Sequence, residues 1–328
     1  MKVKKLPLLL LVAVIFSACS RNSVTPTTGT TNSVGLAVPN TYLTYTAYSA
    51  VPNQSAEVFT IELNKTGLNQ LTHLASGGRG FSGYSVFSGT SLAVFSSDSG
   101  SRNSFHLYKS PVSGGPSTAI TSGINVSDIF PSVSPDGKHI AFARSSQTPG
   151  QLMNTNSLMT SKIDGSDVTL LKLNVGSKGH SSWSPDGSKI FFDSADSTGI
   201  PHVFVVKADG TGIAQLTNTA FGEEYPAVSP NGKSIALATF ADATHGRQDI
   251  SLMTADGSNL HNLTSLGASV IAHMPCWSPS GKFIFFSSYD RLKAEPAHIF
   301  SINADGTNLQ QFTTGKGEEY PAVGFIIK

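Results

Sequence analysis

Ser181-Ser-Trp-Ser-Pro-Asp-Gly-Ser-Lys-Ile-Phe-Phe192 contains a complete turn and the beginnings of two strands. Pro185 presets φ for the turn, Asp186 caps it, and Gly187 supplies the left-handed conformation that closes a hairpin bulge. Trp183 before the turn, and Ile190, Phe191 and Phe192 after it, are strand formers with area to bury. One hairpin decides little, but this one recurs.

The phrase returns as Pro131-Ser-Val-Ser-Pro-Asp-Gly137, Pro226-Ala-Val-Ser-Pro-Asn-Gly232 and Pro275-Cys-Trp-Ser-Pro-Ser-Gly281, with a worn copy at Tyr84–Gly89. A second phrase alternates with it: Ile163-Asp-Gly165, Ala208-Asp-Gly-Thr211, Ala255-Asp-Gly-Ser258 and Ala304-Asp-Gly-Thr307. Looser copies stand at Asn64–Gly67 and Ser113–Gly115. Asp-Gly between alternating apolar residues is a strong hairpin signal. The strand after it often ends in Leu-Thr or Phe-Thr, at Leu71-Thr72, Leu216-Thr217, Leu263-Thr264 and Phe312-Thr313. One period is therefore four strands, here A to D, and Ser134, Ser184, Ser229 and Ser278 space it at 45 to 50 residues. Four antiparallel strands at that interval make a propeller blade, and helical periodicity, which a helical solenoid needs, is absent past the N-terminal segment.

The expected fold is all-β, a six-bladed β-propeller over 41–328. Its approximate blades are 41–75 plus 321–328, 84–122, 131–172, 181–218, 226–265 and 275–314. Pro321–Lys328 reads as a strand A with nothing after it, and Thr41–Tyr48 as a strand B with nothing before it. Joined, they close the ring and pair edges that would otherwise be exposed.

Ahead of the ring, three lysines precede the apolar run Leu6–Phe16, followed by Ser17, Ala18 and Cys19. Residues 1–18 read as a secretory signal, too short to span a bilayer comfortably. Phe16-Ser17-Ala18-Cys19 resembles the bacterial lipobox, which implies lipidation of Cys19. Residues 19–40 then read as a lipidated cysteine and a flexible tether, rich in Ser, Thr, Asn, Pro and Gly. The expected location is the bacterial cell envelope, lipid-anchored, at the outer membrane or facing the periplasm. Ser20, where inner-membrane retention would place Asp, favours the outer membrane by resemblance.

Net charge is +1, and part of that charge lies in the signal, so no basic surplus marks a nucleic-acid partner. Cys276 is the only cysteine besides Cys19, which excludes a disulfide framework in the mature chain. Its apolar surroundings read as a small buried residue rather than a reactive thiol.

The alternating phrases resemble the TolB-type propeller repeat (WD40-like, PD40) over nearly all of 41–328. The resemblance implies the propeller fold and a habit of binding protein partners. The periplasmic TolB protein carries an α/β domain ahead of its propeller, and with only residues 1–40 ahead of the repeats none is expected here. Related blades also occur in peptidases and sugar-acid lyases.

Strand parity puts the A–B and C–D turns on one face and the variable B–C and D–A loops on the other. Function is expected on the variable face. There the segments entering strand A read Asp128-Ile-Phe130, Gly179-His180, Glu223-Glu224-Tyr225, His273-Met274 and Glu318-Glu319-Tyr320. Asp128, His180, Glu223, Glu224, Tyr225, His273, Glu318, Glu319 and Tyr320 are the candidate binding residues at the channel mouth. Four Glu and two Tyr could hold a cation, a basic peptide or a polar ligand. Trp183 and Trp277 are expected in the core.

No Gly-x-Ser-x-Gly, His-Glu-x-x-His, Cys-x-x-Cys or EF-hand pattern is present. The expectation is a monomeric, non-enzymatic module, without a cofactor, that recruits an envelope protein or peptide. The alternatives are a sugar-acid lyase-like enzyme, with a divalent cation on His180, His273 and the carboxylates, and a saccharide-binding lipoprotein using Tyr225, Tyr289 and Tyr320.

Overall fold

The serine of each Ser-Pro-Asp-Gly phrase ties its turn together. The Ser184 hydroxyl donates to Asp186 Oδ1 at 2.5 Å and accepts the Lys189 N–H at 2.9 Å. Ser134 does the same with Asp136 and the N–H of His139, and Ser229 with Asn231 and the N–H of Ser234. With the Ser188 N–H and hydroxyl, that bond holds the Asp186 carboxyl down to about 2. Gly187 closes the turn at φ +70°, which L side chains rarely adopt. It stands over the Pro135 ring of the preceding repeat, as Gly232 stands over Pro185 and Gly281 over Pro230.

The computed structural model describes residues 41–48, 56–63, 68–73, 80–82, 87–88, 92–98, 104–146, 156–244, 246–293, 296–314 and 326–327. The described residues begin with β1 (Thr41–Tyr48), β2 (Ala56–Glu62) and β3 (Asn69–Gln70). The next strands are β4 (Gly80–Ser82), β5 (Phe87–Ser88), β6 (Leu92–Ser97), β7 (His106–Pro111) and β8 (Thr118–Ala119). Four regular blades follow. The first is β9 (Val126–Val133), β10 (His139–Ser146), β11 (Ser157–Lys162) and β12 (Thr169–Leu170). The second is β13 (Lys178–Trp183), β14 (Lys189–Ala195), β15 (Pro201–Lys207) and β16 (Ala214–Gln215). The third is β17 (Glu223–Val228), β18 (Ser234–Phe240), β19 (Gln248–Thr254) and β20 (His261–Asn262). The fourth is β21 (Val270–Trp277), β22 (Phe283–Asp290), β23 (His298–Asn303) and β24 (Gln310–Gln311). The last strand is β25 (Ile326–Ile327), which pairs antiparallel with β1 at Thr41 and Tyr42 and parallel with β5.

Within each regular blade the strands pair antiparallel in sequence order. The first strands, β9, β13, β17 and β21, pack side by side and form the inner wall. They begin three to five residues before the points where the repeated phrase marks its blades, at Val126, Lys178, Glu223 and Val270 rather than 131, 181, 226 and 275.

The core lies between blades. Ile190, Phe192, Phe204 and Val206 pack on Ala141 and Leu158, while Phe191 and Val203 pack on Ile235, Leu237 and Met253. Leu43, Tyr45, Ile61 and Leu63 pack with Cys276, Phe285, Ile299 and Phe312. Each such buried side chain contributes roughly 1.5–3 kcal/mol. Both tryptophans stitch neighbours: Trp183 donates its indole N–H to Ser132 O at 3.0 Å, and Trp277 to Ala227 O at 2.9 Å. Trp277 is buried, as its place in strand A requires, whereas Trp183 is half-buried and lines a turn-face depression of about 560 Å³ with Pro135, Asp136, Pro185 and Asp186.

The repeated Leu-Thr ending has a physical cause. Thr72, Thr121, Thr217, Thr264 and Thr313 each accept, at 2.9 Å, the buried N–H of the residue fourteen positions earlier. The hydroxyl supplies a partner where the short fourth strand has ended. Thr217→Val keeps the shape and strands the Val203 N–H, so it is expected to lower unfolding free energy by about 1–3 kcal/mol. Urea melts compared with Thr118→Val, at an exposed position, measure this; equal midpoints would contradict it.

Candidate functional site

Each inner strand carries the same irregularity. Ile129 to Ser132 spans three residues against two on β10, Ala141 to Ala143. The same extra residue appears between Lys178 and Ser181, Glu224 and Ala227, and His273 and Cys276. Such a bulge bends the strand and re-aims a side chain. Phe130, Tyr225 and Met274 sit in it at φ +56°, +60° and +52°, and His180 holds the corresponding place in β13. Left-handed backbone at a bulky residue costs on the order of 1–3 kcal/mol, and such strain concentrates at functional sites.

The bulges bring rings from successive blades into one chain. The Phe130 and His180 centroids are 3.8 Å apart, His180 and Tyr225 4.2 Å, and Tyr225 and His273 5.7 Å at 88°. Tyr289 of β22 extends the row, 6.0 Å from His273. His180 and His273 form a buried floor, while Phe130, Tyr225 and Tyr289 are half-buried.

Asp193 of β14 sits at the centre of this row. It is 6% exposed and accepts the N–H of His180 at 3.2 Å and, from the next blade, the N–H of Tyr225 at 3.0 Å. His180 Nδ1 lies 3.3 Å from its second oxygen. One carboxyl group therefore holds two bulges in place. Gly179 makes room for it, since a Cβ there would lie 1.9 Å from Asp193 Oδ1.

Glu224, the partly buried neighbour of Tyr225, accepts a long bond from Gln248 Nε2 at 3.4 Å. The backbone of Gln248 itself bridges to Ile271 of the following blade. Burial, and then the Asp193 charge, push the Glu224 carboxyl up to about 8. Burial, and then His180, push His273 down to about 3.

The structure thus gathers His180, Glu224, Tyr225 and His273 into one cluster. It does not bring Asp128 or Glu223 there. Asp128 is fully buried in a bidentate pair with Arg144, at 2.6 and 2.8 Å. Glu223 is fully buried against His202 Nδ1 at 3.1 Å and the Thr219 hydroxyl. Both precede the bulged residue by two positions and are spent within the blade packing, which corrects their expected place at an open mouth. Glu318, Glu319, Tyr320 and Cys19 lie outside the described residues. Among the described residues no three His, Cys, Asp or Glu side chains converge as a metal-holding group. Asp193 and Gln248 were not singled out from sequence. The signal for Asp193 was a single acid at a strand position where the other repeats carry Ala143, Ala238 and Ser287.

The family model of the TolB beta propeller domain matches residues 154–324. An uncharacterized protein of Agrobacterium fabrum is 28% identical over 189 residues, 56% of this chain and 61% of its own length. A TolB homolog of Chlorobaculum tepidum is 30% identical over 133 residues, covering 40% of this chain and 28% of that protein. The chain thus spans less than two thirds of these relatives. The crystal structure of TolB from Acinetobacter baumannii superposes on 87% of this chain and 66% of its own, with TM-score 0.70 at 17% identity, a likeness of fold.

The two shifted groups of the cluster dictate a pH signature. Glu224 binds its proton more tightly in the folded chain from 4.5 to about 8, so through that window stability falls as pH rises. His273 resists protonation between 6.5 and about 3, so through that window stability falls as pH drops. The slopes oppose each other where the windows overlap, and above 6.5 only Glu224 acts. Glu224→Gln is expected to flatten the loss of stability between about pH 6.5 and 8, on the order of 1 kcal/mol. Urea titrations of both proteins across that range check it; parallel curves would refute the assignment.

Proposed function

The chain belongs to the family of TolB β-propeller domains, and from that premise we propose that it is a non-catalytic binding module of the bacterial cell envelope. In this reading six blades form a ring closed by the β1–β25 pairing, and the variable-loop face recruits a protein or peptide. The observation that carries it is the row of rings over Asp193, built from four blades by the repeated bulge. A strained, pre-positioned aromatic row with buried polar groups beneath it has the make-up of a recognition surface rather than of a solvated rim. Half-buried rings supply contact area at low entropic cost.

Residues 1–18 act as the export signal in this reading, Cys19 carries the lipid, and residues 20–40 hold the ring off the membrane. The lyase-like alternative needs a divalent cation on convergent His and carboxylate donors. His180 and His273 are instead part of the aromatic row, one bonded to Asp193 and the other buried with its basicity suppressed.

Capture from envelope extracts tests the surface. Phe130→Ala combined with Tyr289→Ala is expected to cut recovery of the bound partner at least about tenfold, as loss of central aromatic contacts does. Asp186→Asn, on the turn face, is expected to leave recovery unchanged. Equal recovery by all three proteins would remove the aromatic row as the binding surface. For the anchor, Cys19→Ser is expected to move the protein from the membrane to the soluble envelope fraction and abolish palmitate labelling. Retention of label would refute lipidation at Cys19.

A further inference from the structure

We propose that the cluster around Asp193 and Glu224 takes the cationic side chain of a lysine or arginine from a peptide, and that the cation enters in exchange for a proton carried by Glu224. The inference rests on the binding reading above and names the chemistry of what is bound.

The first observation is a missing counter-ion. Two other buried acids have their own arginine, Asp128 with Arg144 and Asp249 with Arg247 at 2.7 Å, and buried Glu223 has His202. Asp193 and Glu224 lie close enough for the charge of one to disfavour ionisation of the other, yet among the described residues neither meets a lysine or arginine. Asp193 accepts two backbone N–H bonds and neighbours His180, and Glu224 has the long bond from Gln248. Two carboxyl groups that feel each other's charge in a poorly solvated place cannot both ionise cheaply. A proton on Glu224 is then the resident counter-ion, and any better cation competes with it.

The second observation is what surrounds the pair. Tyr225 follows Glu224 in the bulge, its ring 4.2 Å from His180, and Phe130 and Tyr289 stand at either end of the row, all three partly open to solvent. The faces of such rings attract an ammonium or guanidinium group, most strongly where water is excluded. Calcium or magnesium would need several oxygen donors, and the described residues offer two carboxyls. Rings with a carboxylate floor suit an organic cation. At the moment of exchange the Glu224 O–H bond breaks, its proton leaves to solvent, and the electron pair stays on the carboxylate that now faces the incoming cation.

The strands packed against β17 carry other titratable groups: Lys178 and His180 on β13, Lys189 and Asp193 on β14, His202 and Lys207 on β15, and His273 and Cys276 on β21; its own strand adds Glu223 and Tyr225. β18 contributes none. Lys178 is committed to Val175 O at 2.8 Å, and His202 to Glu223. Glu224→Gln keeps every one of these groups, so any pH dependence left in that variant belongs to them.

Calorimetric titration of the full chain with acetylated, amidated tri-lysine, in two buffers of different ionisation enthalpy, tests the exchange. Affinity is expected to rise about tenfold per unit between about pH 6 and 7 and to level off above about pH 8, with close to one proton released per peptide at the lower values. Glu224→Gln, nearly isosteric, is expected to lose the proton release and most of the pH slope. Asp193→Asn is expected to weaken binding at every pH. Release that persists undiminished in Glu224→Gln, or wild-type binding without release, overturns the exchange. Calcium chloride binding with the same release would assign the site to a metal ion and overturn it as well. If tri-lysine fails to bind while Phe130- and Tyr289-dependent partner capture survives, this inference falls and the binding reading stands; if both fail, both fall.

Discussion

One residue too many in each inner strand is the constraint on which the site depends. A strand that keeps alternation with its partner sends side chains to the two faces of its blade, where they pack against the neighbouring blades. Inserting one residue at Phe130, His180, Tyr225 and Met274 breaks that alternation at the same height in successive blades. The displaced Phe130, His180 and Tyr225 rings meet one another, and His273, beside the bulged Met274, continues the row. The strain of three left-handed bulky residues is offset by the bonds it sets up, since the turned backbone presents the Tyr225 N–H to Asp193 across a blade boundary. The bulge thus makes an inter-blade bond and an aromatic row with one change of backbone.

Buried charge follows the same geometry. In the cross-strand pair two residues upstream of the bulge, Asp128 faces Arg144 in one blade, while Lys178 faces Ser194 and Glu223 faces Thr239 in the next two. That position lies inside the packing, so an acid there must find a partner or forfeit several kcal/mol, and Arg144 and His202 supply it. Asp193 and Glu224 are different because they border the open row. Their hydrogen bonds come from backbone N–H groups and a glutamine rather than from a cation, and burial raises the Glu224 carboxyl.

Much of the fold was legible because it is written in local chemistry. Ser-Pro-Asp-Gly and Asp-Gly specify turns through φ preference and side-chain bonds that reach only two to five residues, so a reader of sequence sees the whole interaction. Leu-Thr was visible as a repeated ending, but its role spans fourteen residues and needed the hairpin to appear. The bulge was not legible: it erases the period-2 pattern it interrupts, so the first halves of β9, β13, β17 and β21 read as loops entering a strand. That reading placed Asp128 and Glu223 at a rim when they are interior, while His180, Tyr225 and His273, which the repeat aligns, lie next to one another.

A repeat also provides its own background, and departures from it carry the information. Counting nine residues on from the turn serine, the other regular blades carry Ala143, Ala238 and Ser287, and one carries Asp193. Counting five residues back, they carry Ile129, Glu224 and His273, and the same blade carries Gly179, the residue whose missing Cβ admits that carboxylate. Neither substitution helps a blade pack: the acid costs desolvation, and the glycine costs about 0.5–1 kcal/mol in a strand interior. They make sense only together, as a carboxylate brought to the inner wall and a space made to receive it. The turn phrase beginning at Ser184 fixes where that blade stands, and the two exceptions flanking it set apart the chemistry the blade adds to its neighbours.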